Sequence, residues 1–383
     1  MYLNFCKMEL KRSIEPRLMA AVIPNKVLIL LGPRRVGKTL LIKRIQQTFQ
    51  EPSLFLNGDD VDTHNLLETQ SVANYSRLLG DCRLLLIDEA QEIPGIGKKL
   101  KLMVDSIEGL KIVVTGSSAF ELNNQIGEPL VGRMQTMQLF PLAQIEFQQN
   151  ENQVETYAKL EERLIFGGYP ELIHLENQSQ KIQYLKDLVH AYLLKDVLAF
   201  EGIKKRDKIL ALLQKLAFRS GSEISLESIG KDLQISKNTV EKYLDLFKKV
   251  FVVYDVPGFS RNLDNEITKM KKWYFVDTGI RNALINNFNG LNLREDTGRL
   301  WENYLNSERR KKIAYQQLNV DSYFWRTHTQ QEIDHVEVNG NSIDAFEYKW
   351  AKAIAKIPSL FAKAYPEGVF TTINRENYLD FIL

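Results

Sequence analysis

The stretch "VLILLGPRRVGKTLL" at 27–41 restricts the fold more than any other part of this 383-residue chain. Its five apolar residues, 27–31, stop at Gly32, as a buried parallel strand does. Beyond the loop, Leu40, Leu41, Ile45 and Phe49 recur near helical spacing. Residues 32–39 match G-x-x-x-x-G-K-[ST] in full, and strand before, helix after is the context that gives this pattern meaning. Backbone N–H groups of the loop and of the helix start then face an anion. Gly32 and Gly37 let the backbone turn and approach without a Cβ in the way. The residues expected around a nucleotide phosphate chain are Gly32, Pro33, Arg34, Arg35, Val36, Gly37, Lys38, Thr39 and Leu40. Lys38 would reach the β- and γ-phosphates, and Thr39 would ligate Mg²⁺.

Four more strands are expected: "SLFLNGDD" at 53–60, "RLLLIDEA" at 83–90, "KIVVTGSS" at 111–118 and "MQTMQLFPL" at 134–142. Helix-length segments separate them, which predicts a parallel sheet with helices on its faces. Ligands of such sheets bind at the carboxyl ends of the strands, where the Gly, Asp, Glu and Ser residues fall here. Asp88 is the expected second metal ligand, and Glu89 would accept a proton from an attacking water or orient it. Ser117 is the polar tip expected to touch the γ-phosphate or the water, with Thr115 as runner-up. Arg133, after Gly132, suits charge stabilisation from within the chain or from a neighbouring subunit, and equally suits a plain surface arginine.

From about 150 to 215 the pattern is mainly helical, broken by "FGGYPE" at 166–171. Residues 221–256 have the layout of a winged helix-turn-helix: a helix from Leu226 to Leu233, a turn, a helix from Lys237 to Val250 capped by Ser236, then a β stretch. Lys237, Asn238 and Thr239 could reach base edges. Yet five lysines between 221 and 250 face five acids, a weak balance for binding DNA phosphates, and winged helices also serve as packing modules. The basic runs at 204–208 and 308–312 suit either backbone contacts or a solvated helix face.

The remainder reads as a strand-turn unit "WYFVDTGI", a helix at 297–312, three strands, a helix over "AKAIAKIPSLFAKAY" with Pro358 as a kink, and a last strand "GVFTTI". The second and third of the three strands meet at the hairpin "NGN", 339–341. Asp334 lies on one of them, Glu347 and Lys349 on the next, and residues two apart share a strand face. Two carboxylates could hold Mg²⁺, with Lys349 polarising a water and Glu302 as a further acid. Glu347 and Lys349 equally suit a surface ion pair worth under about 1 kcal/mol. His335 points to the opposite face and reads as structural.

A net charge of +2 gives no global argument for a nucleic-acid partner. The two cysteines, Cys6 and Cys82, lie far apart with no metal-site pattern around them. The first residues show no apolar core of signal-peptide length, and no apolar run approaches bilayer-spanning length. A cytoplasmic protein without membrane contact is the expectation.

"GPRRVGKTLL", "LLLIDEAQ", "VVTGSSAF", "LVGR", "FGGYPE" and the "FWRT…EID…EYKW" ending occur in that order. Together they resemble a family of bacterial and archaeal AAA-type ATPases whose ATPase domain precedes a domain of unknown function with a winged helix and a restriction-endonuclease-like module. The resemblance runs over nearly the whole chain. It implies an α/β fold: a P-loop NTPase with an AAA/ASCE-type parallel sheet over 1–148, a helical segment over 149–215, a winged helix-turn-helix over 216–260 and a restriction-endonuclease-like α/β domain over 261–383. It implies ATP and Mg²⁺ as ligands, with Lys38, Thr39, Asp88 and Glu89 in the ATPase site. Ser117 would be the sensor, where Asn is common in AAA proteins, and Arg133 a candidate finger. It also implies Asp334, Glu347 and Lys349 at a nuclease-like site. The winged helix and the nuclease-like domain point to double-stranded DNA as a partner, and a homo-oligomer is the further expectation.

Overall fold

The computed structural model describes residues 10–117, 130–193, 197, 206–260 and 271–383. They fall into two compact units. One comprises Lys11–Pro141 with Lys249–Phe251; the other comprises Leu142–Lys248 and Val252–Leu383, with Leu10. Apart from Lys249–Phe251, the described residues of the segments expected at 149–215, 216–260 and 261–383 thus belong to the second unit.

The first unit is built on β1 (Lys26–Leu31), β2 (Ser53–Asn57), β3 (Leu84–Asp88), β4 (Lys111–Gly116) and β5 (Met134–Gln138). All pairings are parallel and the order is β2-β3-β4-β1-β5. Residues 27–31 and all of β3 are buried, as strands covered on both faces must be. Ile29, Leu31, Leu85, Ile87, Ile112 and Val114 join Leu100 and Met103 of the helix Ile96–Ser106 in one apolar core. Each such side chain contributes roughly 1.5–3 kcal/mol on burial. Because β4 lies between β1 and β3, the loop after β1 and the acidic tip of β3 flank the end of β4. The run expected at 134–142 is a strand only as far as Gln138.

In the second unit, helices Leu226–Leu233 and Lys237–Lys249 lie where the sequence places them. The Ser236 hydroxyl accepts from the Thr239 N–H at 3.1 Å, a true N-cap. They are followed by the antiparallel ribbon of β6 (Val253–Pro257) and β7 (Lys271–Phe275). The turn expected at "VDTGI" is the start of a helix, Thr278–Leu284, with Asp277 as its N-cap. A 20-residue helix, Thr297–Gln316, precedes β8 (Asp321–Arg326), β9 (Glu332–Asn339), β10 (Ser342–Tyr348) and β11 (Val369–Ile373). These form a sheet of order β11-β10-β9-β8, antiparallel except for β10 with β11. Gly340, at φ 59°, turns the hairpin between β9 and β10.

Two expectations fail here. The helix expected over "AKAIAKIPSLFAKAY" exists only as Ser359–Ala364, with Pro358 at its N-cap and no kink. Proline has no N–H to give a helix interior and biases the preceding residue away from helix, so the helix begins after it. The basic run at 308–312 is not a solvated face but is turned onto its own unit. Arg309 donates to both Glu337 oxygens at 2.6 Å and to the Phe381 carbonyl at 2.7 Å. Arg310 lies 4.5 Å over the Tyr254 ring. Lys311 donates to Glu308 at 2.7 Å and to the Leu142 carbonyl at 3.0 Å. Lys312 reaches the Phe381 carbonyl. The run clamps its helix to the body of the unit. For the other basic run, residues 204 and 205 lie outside the described residues.

The fork between Arg309 and Glu337 sets a pH dependence. Burial alone would raise the Glu337 pKa, but the hydrogen bonds from Arg309 and His335 prevail and hold it at about 2, against an ordinary 4.5. A carboxylate depressed in the fold stabilises it above the unfolded pKa, and that contribution is lost as pH falls from about 4.5 toward about 2. It should amount to ~3 kcal/mol at neutral pH. Urea unfolding of Glu337→Gln beside the wild type between pH 2 and pH 6 checks this: the variant should be weaker at pH 6, and the gap should close toward pH 2.

Candidate functional site

The loop after β1 is shaped by its glycines. A Cβ on Gly32 would stand 2.2 Å from the Leu139 carbonyl oxygen, so only glycine allows this approach to the chain leaving β5. Gly37 sits at φ 99° as the helix Lys38–Thr48 begins, a conformation L side chains rarely adopt. Arg35, at φ 65°, is a further left-handed residue of the turn. Val36 is fully buried beneath the loop, whereas Leu40 is half exposed. Lys38 is buried, its Nζ donating to the carbonyls of Gly32 at 2.9 Å and Pro33 at 3.0 Å. Arg12 supports the loop from below. It is buried and donates to the Val36 carbonyl and the Phe140 carbonyl, both at 2.6 Å. That role has no local signature in the sequence.

Asp88, at the buried end of β3, faces this loop across β4. The Thr39 hydroxyl donates to Asp88 Oδ2 at 2.6 Å. The Thr115 hydroxyl donates to Asp88 Oδ1 and accepts from the Glu89 N–H at 3.0 Å. Glu89 has left-handed backbone, φ 48° and ψ 48°, a strained state for a carboxylate residue of the kind held at functional sites. Gln91 Nε2 donates to Glu89 Oε2 at 2.6 Å and to Ser117 Oγ at 3.3 Å. The structure thus brings Lys38, Thr39, Asp88 and Glu89 to one end of the sheet. It places Ser117, buried at the tip of β4, one residue removed from them through Gln91. The runner-up Thr115 touches Asp88 directly. Sequence reasoning misses Gln91 as a contact, although it stands in the quoted "IDEAQ".

Arg133 is not with this group. The Val27 N–H donates to its carbonyl, so it sits at the amino ends of β1 and β5 and pairs with Asp105. The length of β1 puts roughly 17 Å between it and the loop. A finger acting within the chain is therefore ruled out by position: an arginine preceding a strand parallel to β1 starts at the wrong edge.

At the other end of the sequence, β9 and β10 bring Asp334 and Glu347 side by side, next to the paired His335 and Phe346. The Tyr348 N–H donates to Asp334 Oδ2 at 2.8 Å. Lys349 Nζ lies 2.6 Å from Glu347 Oε1, while Glu347 Oε2 is buried without a hydrogen-bond partner. Burial raises the Asp334 and Glu347 pKa values, and the nearby lysines oppose this. Glu302 is pushed up to about 7 by burial, against the pull of Lys272. Among the described residues no three His, Cys, Asp or Glu side chains form a group fit to hold a metal ion. Instead, Lys272 stands among the acids: its Nζ is 3.0 Å from Glu302, 3.7 Å from Asp334 Oδ1, and also pairs with Glu332. His335 is structural, as expected, between Asn306 at 2.9 Å and Glu337 at 3.0 Å.

Residues 24–148 match the model of an AAA domain. Residues 157–291 and 297–371 match models of two domains of unknown function, DUF8612 and DUF4143. An uncharacterized protein of Methanocaldococcus jannaschii is 26% identical over 85% of this chain and 74% of its own length. One of Mycobacterium tuberculosis is 25% identical over 90% and 75%. A point variant of Thermotoga maritima RuvB aligns with 65% of this chain and 90% of its own at 16% identity and a TM-score of 0.34, a loose likeness from which nothing is inferred. No helix among the described residues is long and apolar enough to cross a membrane.

Thr115→Val tests the site's construction. It strips Asp88 Oδ1 of a donor and the Glu89 N–H of an acceptor, and should cost ~1–3 kcal/mol, as a buried unmet polar group does. Ser117→Ala should cost under ~1 kcal/mol. Urea unfolding of the two variants against wild type measures both. The chain carries an AAA domain over residues 24–148, followed by regions matching domains of unknown function, and is similar along most of its length to uncharacterized archaeal and bacterial proteins.

Proposed function

We propose that this chain binds and hydrolyses ATP with Mg²⁺ and acts as a nucleotide-driven switch. The observation that carries the proposal is the meeting of Thr39 and Asp88 beside the phosphate loop, at the carboxyl end of the parallel sheet. A hydroxyl and a carboxylate are hard oxygen donors, and they already lie within one hydrogen bond of each other, so this pair fits Mg²⁺. Thr39 and Asp88 would hold the ion, which would supply positive charge against that of the phosphates.

The chain's own residues supply the rest. N–H groups of residues 34–39 donate to phosphate oxygens. Lys38 exchanges the carbonyls of Gly32 and Pro33 for phosphate oxygens, a gain because a charged acceptor binds an ammonium more strongly than a neutral one. Glu89, steadied by Gln91, orients the attacking water and takes its proton. Thr115 keeps Asp88 aimed at Thr39. Arg133 can serve as a finger only for a neighbouring copy, which makes a homo-oligomer part of the proposal.

The helix pair at 226–249 with its β6–β7 ribbon supports a winged helix. The order helix, three strands, helix, parallel strand from Thr297 onward supports a restriction-endonuclease-like module. Double-stranded DNA is the partner proposed for them, through Lys237 and Asn238, which are exposed on the second helix, and Thr239, which is half-buried with its hydroxyl against that of Ser236. Glu241 and Asp245 share that exposure, and this balance favours a second reading, an ATP-regulated assembly protein with an inert C-terminal module.

Phosphate release with and without duplex DNA decides between them. Lys38→Ala should reduce release at least 100-fold; release unchanged in Lys38→Ala would refute the ATPase. Stimulation by DNA that fades with rising salt supports the DNA partner, and indifference assigns the C-terminal module to assembly. Glu89→Gln should keep ATP binding and lose turnover by ~100-fold, as loss of a general base does.

A further inference from the structure

The carboxylate cluster around Asp334 already contains a cation. Lys272 comes from β7, and its side chain is 2% exposed. Its ammonium is 3.0 Å from Glu302 Oε1 and 3.7 Å from Asp334 Oδ1, and pairs with Glu332 Oε1. It also lies 5.4 Å from the centre of the Phe324 ring, whose face favours a cation. Two elements deliver these acids: the helix Thr297–Gln316 gives Glu302, and β9 gives Glu332 and Asp334, on one face because they are two apart.

The surroundings are closed to match. Tyr274, on the same face of β7 as Lys272, donates its hydroxyl to Glu302 at 2.7 Å. Gly221 covers the Glu302 carboxylate so closely that a Cβ there would fall 2.9 Å from Glu302 Cδ. Asp334 Oδ2 is taken by the Tyr348 N–H. Glu347, the remaining acid of the expected metal pair, gives Oε1 to Lys349, while its buried Oε2 has no hydrogen-bond partner. Mg²⁺ requires oxygens at about 2.0–2.1 Å in octahedral array and keeps several waters. The residues present do not fit that demand, because a buried ammonium already stands among Glu302, Glu332 and Asp334, where the ion would have to sit.

We propose that the Lys272 ammonium is the resident cation of this cluster and takes the place of a divalent ion, so that the module binds no catalytic metal and does not cleave DNA. Burial alone would discharge Lys272; the surrounding carboxylates outweigh it and keep the amine protonated. The inference rests on the nuclease-like reading of residues 261–383 and is independent of the ATPase.

The test uses the nucleotide-free full-length chain and Mn²⁺ as probe, with bound ion counted by electron paramagnetic resonance. Wild type and Asp334→Asn should bind Mn²⁺ alike. Lys272→Met should gain one site at least ten-fold tighter, and Lys272→Met/Asp334→Asn should lose it again. Mn²⁺ binding in wild type that Asp334→Asn abolishes would overturn the proposal, as would a folded Lys272→Met that gains no site. Should Lys272→Met fail to fold, plasmid nicking decides: no difference between wild type and Glu347→Ala in Mn²⁺ supports the lysine lock, and nicking by wild type lost in Glu347→Ala refutes it. Phosphate release by wild type, measured alongside, separates this outcome from the fate of the ATPase reading.

Discussion

The hydrogen bond from Thr39 to Asp88 depends on strand order. β1 and β3 are not neighbours; β4 lies between them, and all three run parallel. Parallel pairing brings their carboxyl ends to one edge, in the register Leu84 and Lys26 each opposite Lys111. The loop after β1 and the acid ending β3 then meet over the tip of β4, where Thr115 ties Asp88 to the Glu89 backbone. A one-residue slip of β3 would turn Asp88 to the other face of the sheet and leave Thr39 without it.

Two clusters of hard oxygens in this chain are finished differently. Near the phosphate loop, the Asp88 carboxylate accepts from two hydroxyls, Thr39 and Thr115, and a hydroxyl can give up its hydrogen bond and turn its lone pairs to an ion. Around Asp334, the partners are an ammonium and a backbone N–H, which carry no lone pair to offer. Burying several acids together is costly unless charge is matched, and Lys272 supplies the match inside the fold. Similar residue types therefore serve ligand chemistry in one place and internal charge balance in the other.

Much of this is legible in the sequence, for reasons that separate cleanly. Residues 27–41 announce strand, loop and helix because a glycine loop and a five-residue apolar run leave few alternatives. The helix pair at 226–249 is readable from Ser236 and the apolar spacing on either side of it. The three strands around Asp334 are readable from alternation and from the turn at Gly340. What escapes is non-local. Arg12 acts on carbonyls 24 and 128 residues away, Val36 and Phe140, which no periodicity marks. The run at 308–312 looks solvated because charge alone does not reveal that Glu337, the Phe381 carbonyl and Tyr254 await it. Lys272 passes for one more lysine of a basic run, although its alternation with Tyr274 on a strand puts it on an inward face. Arg133 misleads because its distance from the loop depends on which end of β5 it occupies, and that requires the strand direction.

The most direct measurement is calorimetric titration of ATP into the wild-type chain and into Asp88→Asn, each with and without Mg²⁺. If Thr39 and Asp88 share the ion, Mg²⁺ should tighten ATP binding at least ten-fold in wild type and change it little in Asp88→Asn. Equal effects of Mg²⁺ on both chains, or no heat of ATP binding in wild type, would contradict the assignment.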